Sequence, residues 1–309
     1  DAAAISPVID AGQRVFGVIG FIATVFALAL WGEGAVEMPF ASTITLLNWY
    51  PMLTLPMFVY MGYMLSESGI ADDLYRMFHV WTGPMRGGLA VGTILLMVAI
   101  SAMNGLSVAG LAIGATIAMP ELLKRGYDKI MVTGVIQAGS TLGIMIPPSV
   151  VLVLYAMIAR QPVGQLWLAG VGPGLLFALI FILYILIRCY LQPKLGPALP
   201  AEERAQITWR EKIGLLRAGI LPLIIIFSMT GLFVMGVTSM VESSAVGAFT
   251  ATLVAWYKGR ITRKVMEDTL RKSLAVSAMF MWIILAALAF GAVFDGLGAV
   301  NAIETLFLE

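Results

Sequence analysis

The sequence predicts an all-α polytopic membrane protein built from inverted repeats. Three observations predict it. The chain has 309 residues, 60% of them hydrophobic and only 12% charged, with a mean hydropathy of +0.94, whereas soluble domains carry about 25% charged residues. Two of its apolar runs are interrupted by helix-breaking residues in mid-run. A short pattern, Gly69, Leu74 and Phe78, recurs at one constant offset as Gly298, Ile303 and Phe307.

Apolar runs occupy roughly 15–31, 49–65, 87–120, 131–159, 165–187, 218–241, 243–257 and 273–294. A spanning helix needs about 20 residues, so the shorter runs borrow from their flanks. Trp49, Tyr50, Trp81, Tyr127, Trp167, Tyr190, Trp209, Trp256 and Tyr257 stand near run ends, which predicts an aromatic belt. Cys189 and His79, the single cysteine and the single histidine, exclude a disulfide framework and a Cys/His metal site, and each reads as a lipid-facing or interfacial side chain. The chain opens "DAAAISPVID", without the charged start and apolar stretch of a signal peptide, and so predicts a processed or truncated N-terminus. With a cytoplasmic N-terminus, a re-entrant 87–120 and one crossing per remaining run, every Lys and Arg except Arg160 falls inside. The outside segment 32–48 holds Glu33 and Glu37 but no basic residue. That bias is the positive-inside rule, and a single crossing by 87–120 destroys it.

Run 87–120 is too short for two crossings, and its middle reads "SAMNGLSVAGLAIG". Its second arm, from Val108 to Pro120, is about 20 Å long as helix against a core of about 30 Å. A re-entrant hairpin with Asn104, Gly105 and Ser107 at its tip follows. Run 131–159 is about 43 Å as a straight helix. "TLGIMIPPSV" breaks it, because neither Pro147 nor Pro148 donates a backbone N–H. The first half-helix is expected to end near Gly143 with unpaired carbonyls, and the second to start near Pro148 and Ser149 with Pro in its first turn and free amides. One break thus offers carbonyls to a cation and amides to an anion. No Asp, Glu, Lys, Arg or His lies in either run, which suits a cation held by neutral oxygens better than a proton relay. Asn104, Ser107, Gly139, Thr141 and Gly143 are the expected Na⁺ ligands. Asn104, Ser107, Pro148 and Ser149 are the expected substrate-binding residues. No HExxH helix and no second histidine support an enzyme.

"SGIADDLYRMF" (68–78) and "LGAVNAIETLF" (297–307) each follow an apolar run and read as amphipathic helices along the membrane surface, one inside and one outside. This pattern predicts an inverted-repeat fold of the kind ion transporters use, with a re-entrant hairpin and a discontinuous helix. The first repeat is 1–190, with arm helix 69–82, hairpin 87–120 and broken helix 131–159. Residues 191–217, with Pro193, Pro197 and Pro200, form a cytoplasmic linker. Residues 218–309 form a truncated second repeat, to which repeat symmetry adds about 100 residues. Run 218–241 has no partner before residue 15, so the first repeat is also expected to lack its opening helix.

The segments "LPMFVYMGYMLSESGIADDLYR", "MPELLKRGYDKIMVTGVIQAGSTLGIMIPPSVVLVLYA" and "LWLAGVGPGLL" resemble the large membrane (M, DctM-like) subunit of tripartite ATP-independent periplasmic (TRAP) transporters. Gly105, Leu106 and Ser107 fall on the family's hairpin-tip Gly-Ser-Ser, with Leu106 for the first serine. Ser140, Thr141, Leu142, Gly143, Ile146, Pro147, Pro148 and Ser149 match the family's break, with Ser140 for a common glycine. Thr238, Ser239, Met240, Val241, Glu242 and Ser243 are an altered Thr-Pro-Thr-Glu-Ala. The resemblance implies Na⁺-coupled uptake of organic acid anions, such as C4-dicarboxylates, by an elevator motion in the bacterial inner membrane. It implies a small membrane (Q) subunit and a periplasmic substrate-binding protein as partners, beside the lipid bilayer, and no nucleic acid and no cofactor beyond Na⁺ as coupling ion. A binding-protein-independent Na⁺/carboxylate symporter of the same fold superfamily is the alternative. Single cysteines at Gly34 and Lys264 should be labelled by an impermeant maleimide from opposite faces of the membrane, Gly34 from outside; labelling from a shared face contradicts the topology.

Overall fold

Backbone that leaves water must bond to itself, and the described residues do so as helix, with no strand. The computed structural model describes residues 2–308 except 33, 36, 106, 160, 201, 202 and 204–207, without the side chains of 2–13, 38, 39, 104, 108, 109, 112, 157, 158, 217, 218 and 307. Four of the described helices are long and apolar enough to cross a membrane, and one bent pair passes only as a broken span. The chain forms two units, Met57–Leu270 and Asp1–Pro56 with Arg271–Glu309.

The second of these contains α1 (Ala2–Trp31), α2 (Glu37–Leu47), most of α13 (Arg263–Gly296) and α14 (Ala299–Leu308). Helix α2 lies within 32–48, the segment that the charge pattern places outside. Small residues let α1 lie close to α13: a Cβ on Gly17 would stand 3.5 Å from the Trp282 ring, and one on Gly20 3.7 Å from Ala286. Ala23, Ala27, Ala35 and Val293 form its buried cluster.

Unit Met57–Leu270 carries the interrupted elements. After α3 (Thr54–Glu67) comes the arm helix α4 (Ile70–Thr82). The hairpin is α5 (Gly88–Asn104) and α6 (Ser107–Ile113), the latter running through a π-turn at Gly114–Ala118 into α7 (Met119–Lys124). The broken span is α8 (Lys129–Met145) and α9 (Val150–Ile158), bent by 41°. Then come α10 (Val163–Leu191), α11 (Trp209–Ile226) and α12 (Met240–Tyr257). Helix α8 packs against both hairpin arms and α10. Asp128 starts α8 by accepting the Met131 amide at 3.0 Å, and Thr208 starts α11 by accepting the Glu211 amide at 3.3 Å. The Thr208 cap explains why helix begins at Trp209, inside the segment 191–217 expected to be linker.

The apolar side of the arm helix is covered by protein. Its Ile70, Leu74, Met77 and Val80 are buried, and it packs against α5 and α11. Its polar side is tied by ion pairs of Asp73 with Lys258 and, at 3.6 Å, Arg260, and of Arg76 with Glu211 at 3.3 Å. The Trp81 indole donates to the Lys212 carbonyl at 3.3 Å. The recurring pattern has recurring geometry. Gly69 and Gly298 have φ of 69° and 71°. The bonds Ser68 N–H to Met64 O, Gly69 N–H to Ser66 O and Asp73 N–H to Gly69 O reappear as Leu297 to Val293, Gly298 to Asp295 and Ala302 to Gly298.

The stretch 192–200 is a fastened strap. The Leu199 amide donates to the Gly83 carbonyl at 3.0 Å, the Gly87 amide to Gly196 at 2.9 Å and the Asp128 amide to Leu195 at 3.1 Å. Leu199 fills the space over Gly83, where a Cβ would come within 1.9 Å of its Cδ1. Cys189 faces protein, not lipid: it is fully buried beneath Gly87 and Gly196. His79 is half-buried beside Tyr75, in a cleft of about 510 Å³ that Glu121, Arg125, Glu203 and Glu211 also line. There Arg125 bridges Glu121 at 2.6 Å and Glu203 at 2.8 Å, and its hydrogen bond holds the Glu121 carboxyl below its usual range. Leu199→Ala should remove about 2–3 kcal/mol of packing from the strap, seen as faster tryptic cleavage after Lys194; an unchanged rate means that Leu199 does not hold it.

Candidate substrate and ion site

Prolines at 147 and 148 delete the two amides that would close the last turn of α8, the partners of the Gly143 and Ile144 carbonyls. The structure repairs one loss. Ile146 turns extended (φ −78°, ψ 123°) while its amide still reaches Leu142 at 2.8 Å. The peptide between Pro147 and Pro148 is cis. The Ser149 hydroxyl donates to the Ile144 carbonyl and accepts the Leu152 amide at 3.2 Å, so it is the N-cap of α9. The first half-helix therefore ends at Met145, two residues past the expected Gly143. The prolines precede the second half-helix instead of occupying its first turn. The Gly143 carbonyl keeps no helical donor, because Ile146 serves Leu142 and the next two residues have none to give.

The hairpin tip closes on this break. Helix α5 ends at Asn104, and Gly105 caps it with φ 67°, its amide on the Ser101 carbonyl at 3.0 Å. The Gly105 carbonyl accepts the Val150 amide at 3.2 Å. A Cβ on Gly105 would lie 1.9 Å from the Pro148 oxygen, so both conformation and contact demand glycine. Behind the break, α10 presses in: the buried Trp167 donates its indole N–H to the Ser149 carbonyl at 3.3 Å. Trp167 is steadied by Phe58 and Phe233, with ring centroids 6.3 and 5.0 Å away. Trp167 and Tyr127, read as belt residues, are 1% and 3% exposed. Each spends its polar end inside: Trp167 on Ser149, and Tyr127 by accepting the Leu89 amide at 3.3 Å. Trp167 is the positioning residue that sequence reasoning missed, since an indole at a run end looks the same in a belt and in a core.

Helix α6 runs antiparallel to α8. Built Cβ atoms place Gly110 against Ser140 (3.8 Å to Cα) and Gly114 against Ile136 (2.9 Å to Cγ2). Continuing that register brings residue 107 level with residue 143. The Ser107 hydroxyl oxygen is buried and has no hydrogen-bond partner. Thr141 and Ser140 instead return their hydroxyls to Ala138 (2.7 Å) and Gln137 (2.8 Å), Thr141 on an exposed position and Ser140 buried. Gly139 is buried under Met97, whose Cγ would be 2.8 Å from a Cβ there. The side chain of Asn104 and all of Leu106 lie outside what is described. Of the amides opening α9, Val150 and Leu152 are taken, so anion binding by this helix start is weaker here than the bare break suggests. Far along the chain, Ser239 and Glu242 form a capping box at the start of α12, and Thr238 meets Ser243 at 2.6 Å. The spacing Ser-x-x-Glu carried that signal.

Residues 11–309 match the model of the DctM component of the tripartite ATP-independent periplasmic transporters. The chain belongs to this family. It is 32% identical to the C4-dicarboxylate TRAP transporter large permease protein DctM of Pseudomonas aeruginosa over 244 residues, 78% of this chain and 55% of that one. It is 25% identical to the ectoine TRAP transporter large permease protein TeaC of Halomonas elongata, over 88% of this chain and 65% of that one. It is 24% identical to the sialic acid TRAP transporter permease protein SiaT of Haemophilus influenzae, over 88% and 43%. The chain thus spans about half the length of the curated relatives it matches. The family is one of membrane transport proteins, which agrees with the broken span and the apolar helices.

Two substitutions test how the tip and break hold each other. Gly105→Ala should unfold the junction or lower the melting temperature by several degrees, since the methyl cannot fit without parting Gly105 from Pro148. Ser149→Ala strands the Ile144 carbonyl and the Leu152 amide at about 1–3 kcal/mol each, and should also lower it. Wild-type melting in both variants shows that the junction is slack.

Proposed function

We propose that the chain acts as the large membrane subunit of a TRAP transporter, binding Na⁺ between the hairpin tip and the break of α8 and α9 and coupling it to uptake of an organic acid anion. The observation that carries the proposal is the Ser107 hydroxyl, buried and unpartnered, level with a Gly143 carbonyl that Pro147 has stripped of its donor. Buried polar atoms rarely go unsatisfied, and a cation accepts both oxygens at once. The carbonyl end of α8 favours positive charge there, and the lone pairs left on Thr141 and the backbone near Asn104 and Gly139 add ligands at the edge. The substrate's acid group belongs on the amide side, at Ser149 and the opening turn of α9. To expose the Val150 amide, the tip must lift from Gly105, so loading and tip movement go together.

Relatives named for C4-dicarboxylate, ectoine and sialic acid share a carboxylate, the group such a helix start suits. The bacterial inner membrane is the proposed location. A periplasmic binding protein delivers the anion, a small membrane subunit accompanies the chain, and an elevator displacement of the hairpin and broken span carries the load. Cation and anion sit at the two ends of one break, so each strengthens the other's binding by a coupling on the order of 1–3 kcal/mol.

The test is uptake into proteoliposomes with both partner subunits and a Na⁺ gradient. Ser107→Ala should raise the Na⁺ concentration for half-maximal uptake about three- to tenfold, the worth of one neutral ligand at about 0.5–1.5 kcal/mol. Thr141→Ala should raise it less, because its hydroxyl already serves Ala138. An unchanged Na⁺ dependence in Ser107→Ala removes the cation from this junction. Uptake without the binding protein rejects the tripartite reading.

A further inference from the structure

At the far end of α8 from the break, a groove of about 480 Å³ runs between α8 and α10. Met131, Val135, Ile180, Phe181 and Ile185 form its walls, and the lining is overwhelmingly apolar. Ile180 and Tyr184 on its rim are about half exposed, and Ile130 is 81% exposed. Along α8 the lining extends from Asp128 to Ala138, about 15 Å of helix. That is half of a hydrocarbon core of about 30 Å, the depth of one leaflet.

The groove's charge is confined to one end. Arg188, from the last turn of α10, lines it, and its Nε is buried without a hydrogen-bond partner. Asp128 lines the same end. One of its oxygens accepts the Met131 amide, and no ion pair joins it to Arg188 among the described residues. A buried guanidinium N–H without an acceptor is costly, and phosphate oxygens match its fork. A second protein helix would cover the apolar walls but would leave both charges to be matched separately. A diacyl lipid covers the walls with a chain one leaflet long and brings a phosphate to the charged end.

We propose that this groove binds a glycerophospholipid with an amine-bearing headgroup, one acyl chain between α8 and α10, its phosphate on Arg188 and its ammonium on Asp128. The proposal depends on the chain lying in a bilayer and not on the Na⁺ site. By the positive-inside assignment, the lipid belongs to the cytoplasmic leaflet.

Native mass spectrometry of the delipidated protein tests it with three probes of equal acyl chains: phosphatidylethanolamine, phosphatidylglycerol and diacylglycerol. One phosphatidylethanolamine should be retained about tenfold more tightly than diacylglycerol. Arg188→Ala should lower that retention about tenfold and leave diacylglycerol unchanged, and Asp128→Asn should abolish the preference over phosphatidylglycerol. A second measurement avoids loss of either charge. Phe181→Trp fluorescence should be quenched by phosphatidylethanolamine with brominated chains and recovered by the unbrominated lipid, the native tryptophans being subtracted with the unsubstituted chain. Equal retention of the three probes, retention unaffected by Arg188→Ala, or no quenching in Phe181→Trp overturns the proposal.

Discussion

Two adjacent prolines in a membrane-spanning run remove amides where no water can replace them, and each orphaned group there costs several kcal/mol. The neighbourhood of the break is organised around that debt. Ser149 turns its hydroxyl back to Ile144 and forward to Leu152. The hairpin tip lends the Gly105 carbonyl to Val150. Helix α10 brings a buried indole to the Ser149 carbonyl. The hairpin and the broken helix are thus one device: neither end is satisfied without the other. The Gly143 carbonyl stays outside these repairs, and the register of α6 on α8 brings it level with Ser107, whose buried hydroxyl has no hydrogen-bond partner.

A device of this kind needs a firm base, because a shift of 1 Å at the tip breaks the Gly105–Val150 bond. The strap provides one. It ties Gly83 and Gly87, at the entrance to the hairpin, to Leu199 and Gly196, and it ties Leu195 to Asp128, at the start of the broken span. The same nine-residue stretch therefore sets the spacing of both elements at their roots. The arm helix adds a bond and an ion pair to the start of α11, and ion pairs to Lys258 and Arg260 just past the end of α12. Exposed pairs such as Arg76–Glu211 contribute little singly, about 0–1 kcal/mol; the buried Leu74 and Met77 face carries more.

Hairpin and break were legible in the sequence because their causes are local: a Gly within a run, two prolines, and run lengths that a bilayer cannot accommodate. The capping of α9 by Ser149 was half legible, since serine before an apolar run is a start signal, but the sequence also allowed proline in the first turn. What escaped was whatever depends on a partner distant in the chain. Trp167 and Tyr127 differ from Tyr190 and Trp209 only in what stands opposite them. Cys189 is buried because Gly87 and Gly196 close over it. The segment 191–217 reads as linker by composition, and only the carbonyls and amides of Gly83, Gly87 and Asp128 make a strap of its first part.

The recurring Gly69 and Gly298 geometry bears on how such a chain is built. Sequence identity between the two stretches is slight, yet the same three backbone bonds and the same left-handed glycine recur in both. Backbone geometry outlasts side-chain identity because a left-handed residue tolerates almost nothing but glycine, whereas Leu74 and Ile303 need only be apolar. In one stretch the turn sends the chain into the arm helix that precedes the hairpin, and a second left-handed glycine, Gly87, starts the hairpin itself. The proposed coupling between ion and anion rests on this chain of positions: the strap fixes the roots, and Gly105 then meets Val150 at a break whose two ends present opposite partial charges a few residues apart.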